Sequence, residues 1–352
     1  MSDETEISVS LVPMGEYTCS TELIAQAVRE YDGVRRKSEI GEMVKGLRLD
    51  CPGVIASFGE DAAVIEHRGD ALLLAADGIW SRLMDADPYW AGYCAVLVNI
   101  HDIAAMGGRP LAMVDVFSIS KDVIKNEVIA GMRDASAQFG VPIVGGHLHP
   151  DTPYSVIDVA ILGVAPLDGV IYSSTAEDGD IIVAAIDLDG RVHPSCSLNW
   201  DSATLRTPSE VRAQIHILEE LGSRHLVTAG KDISNPGIIG TLGMLLEVSE
   251  KGGLVDLDSI PRPDLDLHHV SFEQWVQMYP GMGFIITLKE QNLSEVVSLF
   301  KSVGMTAESI GSVNNSRELR LVSRDENTRV FDFSGNGGIM RLGADPGCKP
   351  AL

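Results

Sequence analysis

Long hydrophobic runs, cysteine and basic residues are all scarce in this 352-residue sequence. No apolar stretch reaches the roughly 18–20 residues of a membrane-spanning helix, and the first residues, Met-Ser-Asp-Glu-Thr-Glu, are acidic where a secretory signal is basic. We therefore expect a cytoplasmic protein with no membrane partner. The five cysteines have neither close pairs nor metal-ligand spacing, which argues against a disulfide framework and a zinc knuckle; they are Cys19, Cys51, Cys94, Cys196 and Cys348.

Acidic residues outnumber basic ones, since 50 Asp and Glu stand against 27 Lys and Arg and the formal net charge is −23. This balance disfavours nucleic acid as a partner. A phosphorylated ligand stays compatible with it if divalent cations lie between carboxylate and phosphate; a solvated acidic surface is the alternative interpretation. No Walker phosphate loop, no Gly-X-Gly-X-X-Gly after a strand and no Gly-X-Ser-X-Gly elbow is present in the sequence.

Strand and helix patterns alternate along the whole chain, and a composition change at about 165–179 separates two halves. We predict an α+β protein of two domains. A helical segment (1–48) precedes a first domain (49–168), an α/β unit with a mixed sheet. A second, α+β domain (169–330) and a tail (331–352) follow. Predicted elements that matter below are the strands 71–76 and 141–144 and the helices 91–106 and 237–251.

The helix at 91–106 carries two polar residues on an otherwise apolar surface. Asn99 and Asp102 are three residues apart, so both lie on one helix face, and Gly107-Gly108 supplies a left-handed end. A carboxylate in apolar surroundings is costly unless it is paired, and a cation is its simplest partner. The alternative is a buried Asp bonded to a backbone amide.

Other carboxylates occupy comparable positions. Asp61 lies in a turn, Gly-Glu-Asp-Ala-Ala, and Asp77 follows the apolar strand 71–76, a common place for a metal-binding group. Asp232 and Ser234 belong to Lys-Asp-Ile-Ser-Asn-Pro-Gly, which opens a helix whose first amides suit an anion and which Ser234 or Asn235 can cap. Each site also has a purely structural interpretation: Asp61 as a turn residue, Asp77 as a cap at the strand end, and the segment around Ser234 as a helix cap.

A second glycine-rich segment, Gly145-Gly146-His147-Leu148-His149-Pro150-Asp151, follows the predicted strand 141–144. Two glycines allow a backbone to approach a phosphate, and His147, His149 and Asp151 form a possible metal site even without nucleotide. A loop of hydrogen-bonded histidines is the alternative.

Taken in order over about residues 35–325, these motifs resemble the aminoimidazole ribonucleotide (AIR) synthetase superfamily, which includes formylglycinamidine ribonucleotide synthetase, thiamine-monophosphate kinase, selenophosphate synthetase and a hydrogenase-maturation dehydratase. The helix at 91–108 is most similar to thiamine-monophosphate kinase. The segments around 145–151 and 232–247 are more similar to relatives such as the methanogenesis marker 2 group. The resemblance implies a two-domain AIR synthase-like fold, an ATP- and Mg²⁺-dependent phosphoryl-transfer enzyme, and a homodimer formed through the first domain.

The resemblance also implies roles for individual residues. Four aspartates match Mg²⁺ ligands, with Asp61 and Asp102 at the catalytic centre; they are Asp61, Asp77, Asp102 and Asp232. Ser234 matches a nucleotide contact, and we add four residues from the motifs above as nucleotide-binding candidates: Asn99, Gly145, Gly146 and His147.

The chain departs from its relatives where they bind substrate. The kinase has Gly-Gly-Asp-Thr in place of Gly-Gly-His-Leu and Gly-Glu-Asp-Tyr-Glu in place of Pro-Gly-Met-Gly-Phe, and the catalytic cysteine of selenophosphate synthetase has no counterpart near Cys19 or Cys51. The small-molecule acceptor is therefore left open, between a kinase and a ligase or cyclo-ligase. A non-catalytic ATP-binding assembly or maturation protein is the alternative function.

Overall fold

The computed structural model describes residues 20–47, 52–120, 122–150, 152–279, 281–335 and 337–342. Two mixed β-sheets with helices packed on them confirm the predicted α+β class. Within the described ranges, no helix combines the length and the apolar character needed to cross a membrane. Cys94 and Cys196 are free thiols, whereas Cys19, Cys51 and Cys348 lie outside the described residues.

The first sheet has the order β1-β2-β3-β6-β4-β5, antiparallel except for the parallel pair β4–β5. One face packs against two long helices, α5 and α6, and this layer holds the first hydrophobic core. The elements of this half are α1 (Thr21–Glu30), α2 (Asp32–Arg35), α3 (Ile40–Leu47), β1 (Val54–Ala56), β2 (Ala63–His67), β3 (Asp70–Ile79), α4 (Ser81–Ala86), α5 (Pro88–Ala105), β4 (Arg109–Ser118), α6 (Asp122–Phe139), β5 (Ile143–His149) and β6 (Val156–Pro166).

The second sheet has the order β10-β12-β7-β13-β11-β14-β15, with β11 and β14 parallel. A separate hairpin pairs β8 with β9. The elements of this half are β7 (Ile181–Ile186), β8 (Arg191–His193), β9 (Cys196–Asp201), α7 (Pro208–Ser223), β10 (Ala229–Asp232), α8 (Gly237–Val248), β11 (Gly252–Asp256), α9 (Phe272–Trp275), β12 (Gly283–Leu288), α10 (Leu293–Ser302), β13 (Thr306–Asn314), β14 (Glu318–Ser323) and β15 (Glu326–Asp332).

Helix α5 lies between the two sheets and is buried on almost all sides, as its largely apolar sequence requires. Asp87 caps its start by accepting a hydrogen bond from the Trp90 amide, and Pro88 occupies the first turn. Gly107 ends it with φ 69°, which confirms the predicted left-handed terminus. The helix is therefore a fixed support for Asn99 and Asp102.

Helix α1 is attached to the second half of the molecule. Its first residue, Thr21, donates hydrogen bonds from its backbone nitrogen and Oγ1 to Glu326 Oε2 at 2.7 and 2.9 Å, and Ile24 and Val28 lie in the second hydrophobic core. Val34 of α2 and Val44 of α3 belong to the same core. Helices α1 to α3 are thus an integral layer of the second half.

Several predicted boundaries are wrong. Strand β3 continues to Ile79, so Asp77 lies within it and pairs with Val159. The glycine-rich segment after residue 144 is itself part of β5. Helix α8 is capped at Pro236 with no side-chain hydrogen bond from Ser234 or Asn235.

The predicted tail begins at residue 331, and strand β15 continues to Asp332. Beyond it, Phe333 and Met340 are buried in the second core. Residues 343–352 lie outside the described part of the chain. Sequence patterns also missed the short strands β8, β9, β10 and β11, since each has six residues or fewer and little alternation.

Candidate functional site

A cavity of about 880 Å³ opens between the two halves of the molecule. Its wall includes the turn after α2, the β1–β2 turn, the end of β3, α4, one face of α5, the β8–β9 hairpin and the segment after β10. The volume is that of an ordinary small-molecule site, and most sites of this kind lie where two domains meet.

Three carboxylates converge on the cavity wall. Asp61, Asp102 and Asp232 each offer one oxygen, and these oxygens lie within 4.8 Å of one another. Asp61 comes from the β1–β2 turn, Asp102 from α5 and Asp232 from the last position of β10. We call these three residues the acidic cluster. The structure thus brings together three of the four aspartates that the sequence proposed as metal ligands.

Asp77, the fourth, lines the same cavity but lies outside the acidic cluster. Its side chain contacts the cavity solvent, although protein atoms surround it on most sides, and this burial raises its pKa. Asn99 lies behind it and is completely buried. Its Nδ2 donates to Ala95 O at 2.8 Å, and its Oδ1 accepts from the Asp77 amide at 3.2 Å. Asn99 therefore positions Asp77 instead of lining the cavity.

A lysine lies among the carboxylates. Lys231 Nζ forms an ion pair with Asp61, and the exposed fractions of the two side chains are 4% and 3%. Burial alone would lower the pKa of Lys231, but Asp61 and Asp232 outweigh it and raise the pKa above its ordinary value. Lys231 therefore remains charged and compensates part of the negative charge of the acidic cluster.

The aspartates of this site hold protons more tightly than ordinary carboxylates. Burial, followed by the neighbouring charge of Asp61, raises the pKa of Asp232 to about 8. Burial, followed by Asp77 and Asp232, raises the pKa of Asp102 well above its usual range. Strong shifts of this kind in a cavity indicate a functional site.

We expect a pH dependence from these shifts. Because the folded-state pKa of Asp232 is raised, its contribution to stability is present at low pH and is lost as pH rises between about 4 and 8. The ordinary carboxylates of the protein have the opposite effect on stability, so the wild type is compared with the Asp232→Asn variant. In EDTA, the melting temperature of this variant should fall less across this pH range than that of the wild type. An Asp232→Asn protein whose melting temperature falls as much as that of the wild type would contradict this expectation.

Ser234 lies where the sequence proposed a nucleotide contact, in the cavity wall. Its backbone amide donates to Thr241 Oγ1 at 3.3 Å, which holds the segment against α8. The neighbouring Asn235 has a buried Oδ1 with no hydrogen-bond partner among the described residues. Both residues line the cavity.

Gly145, Gly146 and His147 do not join this site. They are exposed on the edge strand β5, where His147 lies opposite Val116 of β4, and none of them lines the cavity. The ladder runs from Gly78 through Asp158 and Val116 to His147, so His147 lies about 14 Å across the sheet from the end of β3. In the single chain they lie away from the cavity, and their place beside the phosphates stays a prediction. His147 and His149 contact each other edge to face, and Asp151 lies outside the described residues.

His101, beside Asp102 in α5, belongs to the core. Its ring stacks on Phe284 of β12, and burial lowers its pKa to about 4. It is therefore neutral and joins α5 to the second sheet.

Sequence reasoning missed the cations of the site. The basic residues that line the cavity are Lys231, Arg36, Lys37 and Arg82. A usable signal for Lys231 was its position in the short run Ala229-Gly230-Lys231-Asp232, where an unpaired lysine would be costly. Arg36 and Lys37 gave no such signal, because they lie in a polar stretch between helices.

Known proteins and family models match most of the chain. The family model "AIR synthase related protein, N-terminal domain" matches residues 59–165, and the corresponding C-terminal domain model matches residues 177–324. An uncharacterised protein of Methanocaldococcus jannaschii is 46% identical over 316 residues, which cover 88% of this chain and 96% of that protein. An uncharacterised protein of Synechocystis is 37% identical over 289 residues, covering 82% and 88%.

Among solved structures, Thermotoga maritima PurL complexed with ATP superimposes with a TM-score of 0.71 at 20% identity. The match covers 88% of this chain and 51% of PurL, so the chain spans about half the length of that protein. At this identity the likeness shows the fold alone.

Proposed function

The chain belongs to the AIR synthase related family, and on that basis we propose that it is an ATP- and Mg²⁺-dependent enzyme that activates a small-molecule substrate by phosphoryl transfer. The observation that carries this proposal is the convergence of the acidic cluster on a cavity of about 880 Å³. The family includes ATP-dependent enzymes, and PurL of Thermotoga maritima has been solved in complex with ATP.

The donor set suits the proposed ion. Mg²⁺ prefers carboxylate oxygens and phosphate, and the acidic cluster offers oxygens alone. Mg²⁺ would be held by Asp61, Asp102 and Asp232, with Asp77 nearby, and would neutralise charge on the phosphates. The protein itself contributes position: α5 fixes Asp102, and Asn99 fixes the backbone of Asp77. Phosphoryl transfer relies mainly on positioning and charge stabilisation of this kind.

Turnover distinguishes this proposal from the alternative of a non-catalytic ATP-binding protein. ADP release from ATP and Mg²⁺ should be measured against a panel of phosphorylated and carboxylic-acid metabolites. We expect at least one acceptor to stimulate release, and Asp61→Ala to abolish it. Nucleotide binding without stimulated release by any acceptor would instead support a binding-only function.

We also propose that the protein is a homodimer through the outer face of the first sheet. An antiparallel sheet face in water normally carries polar residues. Here Leu74, Val114, Val116 and Leu162 lie on that face with exposed fractions of 46%, 44%, 44% and 37%. An exposed apolar surface of this kind is typical of a protein interface.

We expect the double substitution Val114→Asp and Val116→Asp to convert a dimer into a monomer, because two carboxylates would be buried at the interface. Light scattering coupled to size exclusion measures the mass directly. Leu267→Asp is the matched control, since Leu267 is 71% exposed and lies elsewhere. A wild-type mass of one chain at micromolar concentration would contradict the proposal.

A further inference from the structure

Two cations reach the cavity from the N-terminal helices. Arg36 and Lys37 lie in the tight turn Arg36–Glu39 between α2 and α3, and both line the cavity. Arg35 and Lys45 of the same segment are exposed and lie outside the cavity lining. Only part of the basic charge of this segment is therefore directed into the site. We call Arg36 and Lys37 the cationic pair.

The Arg36 side chain is fixed by an aromatic ring. Its Cζ atom lies 3.9 Å from the centroid of the Trp80 ring, next to the end of β3. Stacking of this kind holds the guanidinium plane while leaving its in-plane N–H groups available, a geometry that suits the two oxygens of a carboxylate or phosphate. Trp80 also lines the cavity, so the stacked pair is part of its wall.

The positive charge of the cationic pair is incompletely compensated. Within the described ranges, no carboxylate forms an ion pair with Arg36 or Lys37. Lys37 interacts at longer range with Asp77 and Asp232, which attract it, and with Lys231 and Arg36, which repel it. Cations withdrawn from bulk water without a direct partner are costly, and an anionic ligand would remove that cost.

The turn that carries the cationic pair is preformed. Gly33 lies so close to Asn235 that a Cβ atom there would come within 2.4 Å of the Asn235 carbonyl oxygen. Gln277 Nε2 donates to Ala27 O at 3.3 Å, and Val34 is buried in the second core. A ligand therefore need not order this segment before it binds, which favours affinity.

We propose that the cationic pair is the subsite for an anionic group, carboxylate or phosphate, on the second substrate. This inference rests on the proposed function, in which the charge of ATP is met by Mg²⁺ on the acidic cluster. The cationic pair then remains for another anion in the same cavity. The proposed subsite restricts the second substrate, the phosphoryl acceptor, to small molecules that carry at least one acidic group.

The test uses full-length protein, Mg²⁺ and AMPPCP, an ATP analogue with a β,γ-methylene bridge. Inorganic phosphate and succinate serve as probes of the two anion types, added to the AMPPCP-saturated protein. We expect one or both to raise the melting temperature by about 2–4 °C.

Arg36→Gln combined with Lys37→Met should abolish this rise while AMPPCP affinity stays within about threefold of the wild-type value. The control, Arg35→Gln with Lys45→Gln, removes the same charge outside the cavity and should keep the rise. Arg36→Lys, which keeps charge but loses the planar group, should give a smaller rise.

Two outcomes overturn the subsite: a response that survives in the Arg36/Lys37 variant, or no response to either probe in the wild type. A tenfold loss of AMPPCP affinity in that variant also overturns it, because the cationic pair would then serve the nucleotide. Failure of the proposed function is distinguishable. In that case AMPPCP does not bind the wild type, and the anion response, measured without nucleotide, still depends on Arg36 and Lys37.

Discussion

Replacing Lys231 by Met is expected to lower the free energy of unfolding of the metal-free protein by about 3–5 kcal/mol. The substitution leaves Asp61 buried beside Asp102 and Asp232 with no cation among them. Breaking a buried ion pair from one side is far more costly than losing an exposed one, because the remaining charge has neither water nor a partner. Denaturant unfolding in EDTA measures the loss.

Two companion measurements identify the cause. The double variant Asp61→Asn with Lys231→Met should recover most of the stability, since neither charge remains buried alone. Mg²⁺ should also stabilise Lys231→Met more than the wild type, because the ion can replace the missing positive charge. Lys45→Met, at an exposed lysine, is the control and should change stability by less than about 0.5 kcal/mol. A Lys231→Met variant as stable as this control would remove Lys231 from its assigned role.

Asp102→Asn should weaken Mg²⁺-dependent binding of AMPPCP by about 100-fold or more, since even residues that only support metal ligands change affinity by about 10–100-fold. Asp102 lies at the centre of the acidic cluster on a helix that cannot shift to compensate. An amide keeps the shape of the side chain but not the charge, so folding should be retained. Isothermal titration with and without Mg²⁺ separates the metal-dependent part.

Asp115→Asn is the matched control for this experiment. Asp115 is another partly buried aspartate of the same domain, on β4, and it does not line the cavity. Its substitution should leave the affinity for Mg²⁺ and AMPPCP unchanged. An Asp102→Asn protein that binds with wild-type affinity would exclude Asp102 from the site.

The acidic cluster was accessible to sequence reasoning because each aspartate lies in a locally unusual setting. Asp102 interrupts an apolar helix and Asp232 precedes the start of another, and the order of these motifs matched a family. Spacing along the chain did not show that Asp61 and Asp232, which are 171 residues apart, meet in space. The resemblance supplied that information, and the fold brings these residues together.

The glycine-rich segment shows where local patterns fail. The sequence predicts a phosphate-binding loop at Gly145 and Gly146 because two glycines after a strand allow the backbone to approach a phosphate. In the structure the run continues as the edge strand β5, paired with β4 through Val114 and Asp115. Backbone hydrogen bonding to a neighbouring strand outweighed the low strand preference of glycine, and no local signal reports that neighbour.

The cationic residues illustrate a different limit. Lys231 has only a local signal in the sequence, and its ion pair with Asp61 is what identifies its role. Arg36 is recognisable only with Trp80. Both partners are remote in sequence. Because lysine and arginine are usually solvent-exposed, their residue type alone predicts an exposed surface position for Lys231 and Arg36. A single sequence does not predict contacts of this kind, because they depend on the topology of the whole chain.

The cavity wall contains Lys37 from near one end of the described chain and Met340 from near the other. The hydrogen bonds from Thr21 to Glu326 likewise bridge 305 residues of the chain. Closing so long a loop has an entropic cost that must be met before these contacts form, and such contacts slow folding. We therefore expect the cavity to be completed late in folding, so that ligand binding would report whether the whole chain has reached its native topology.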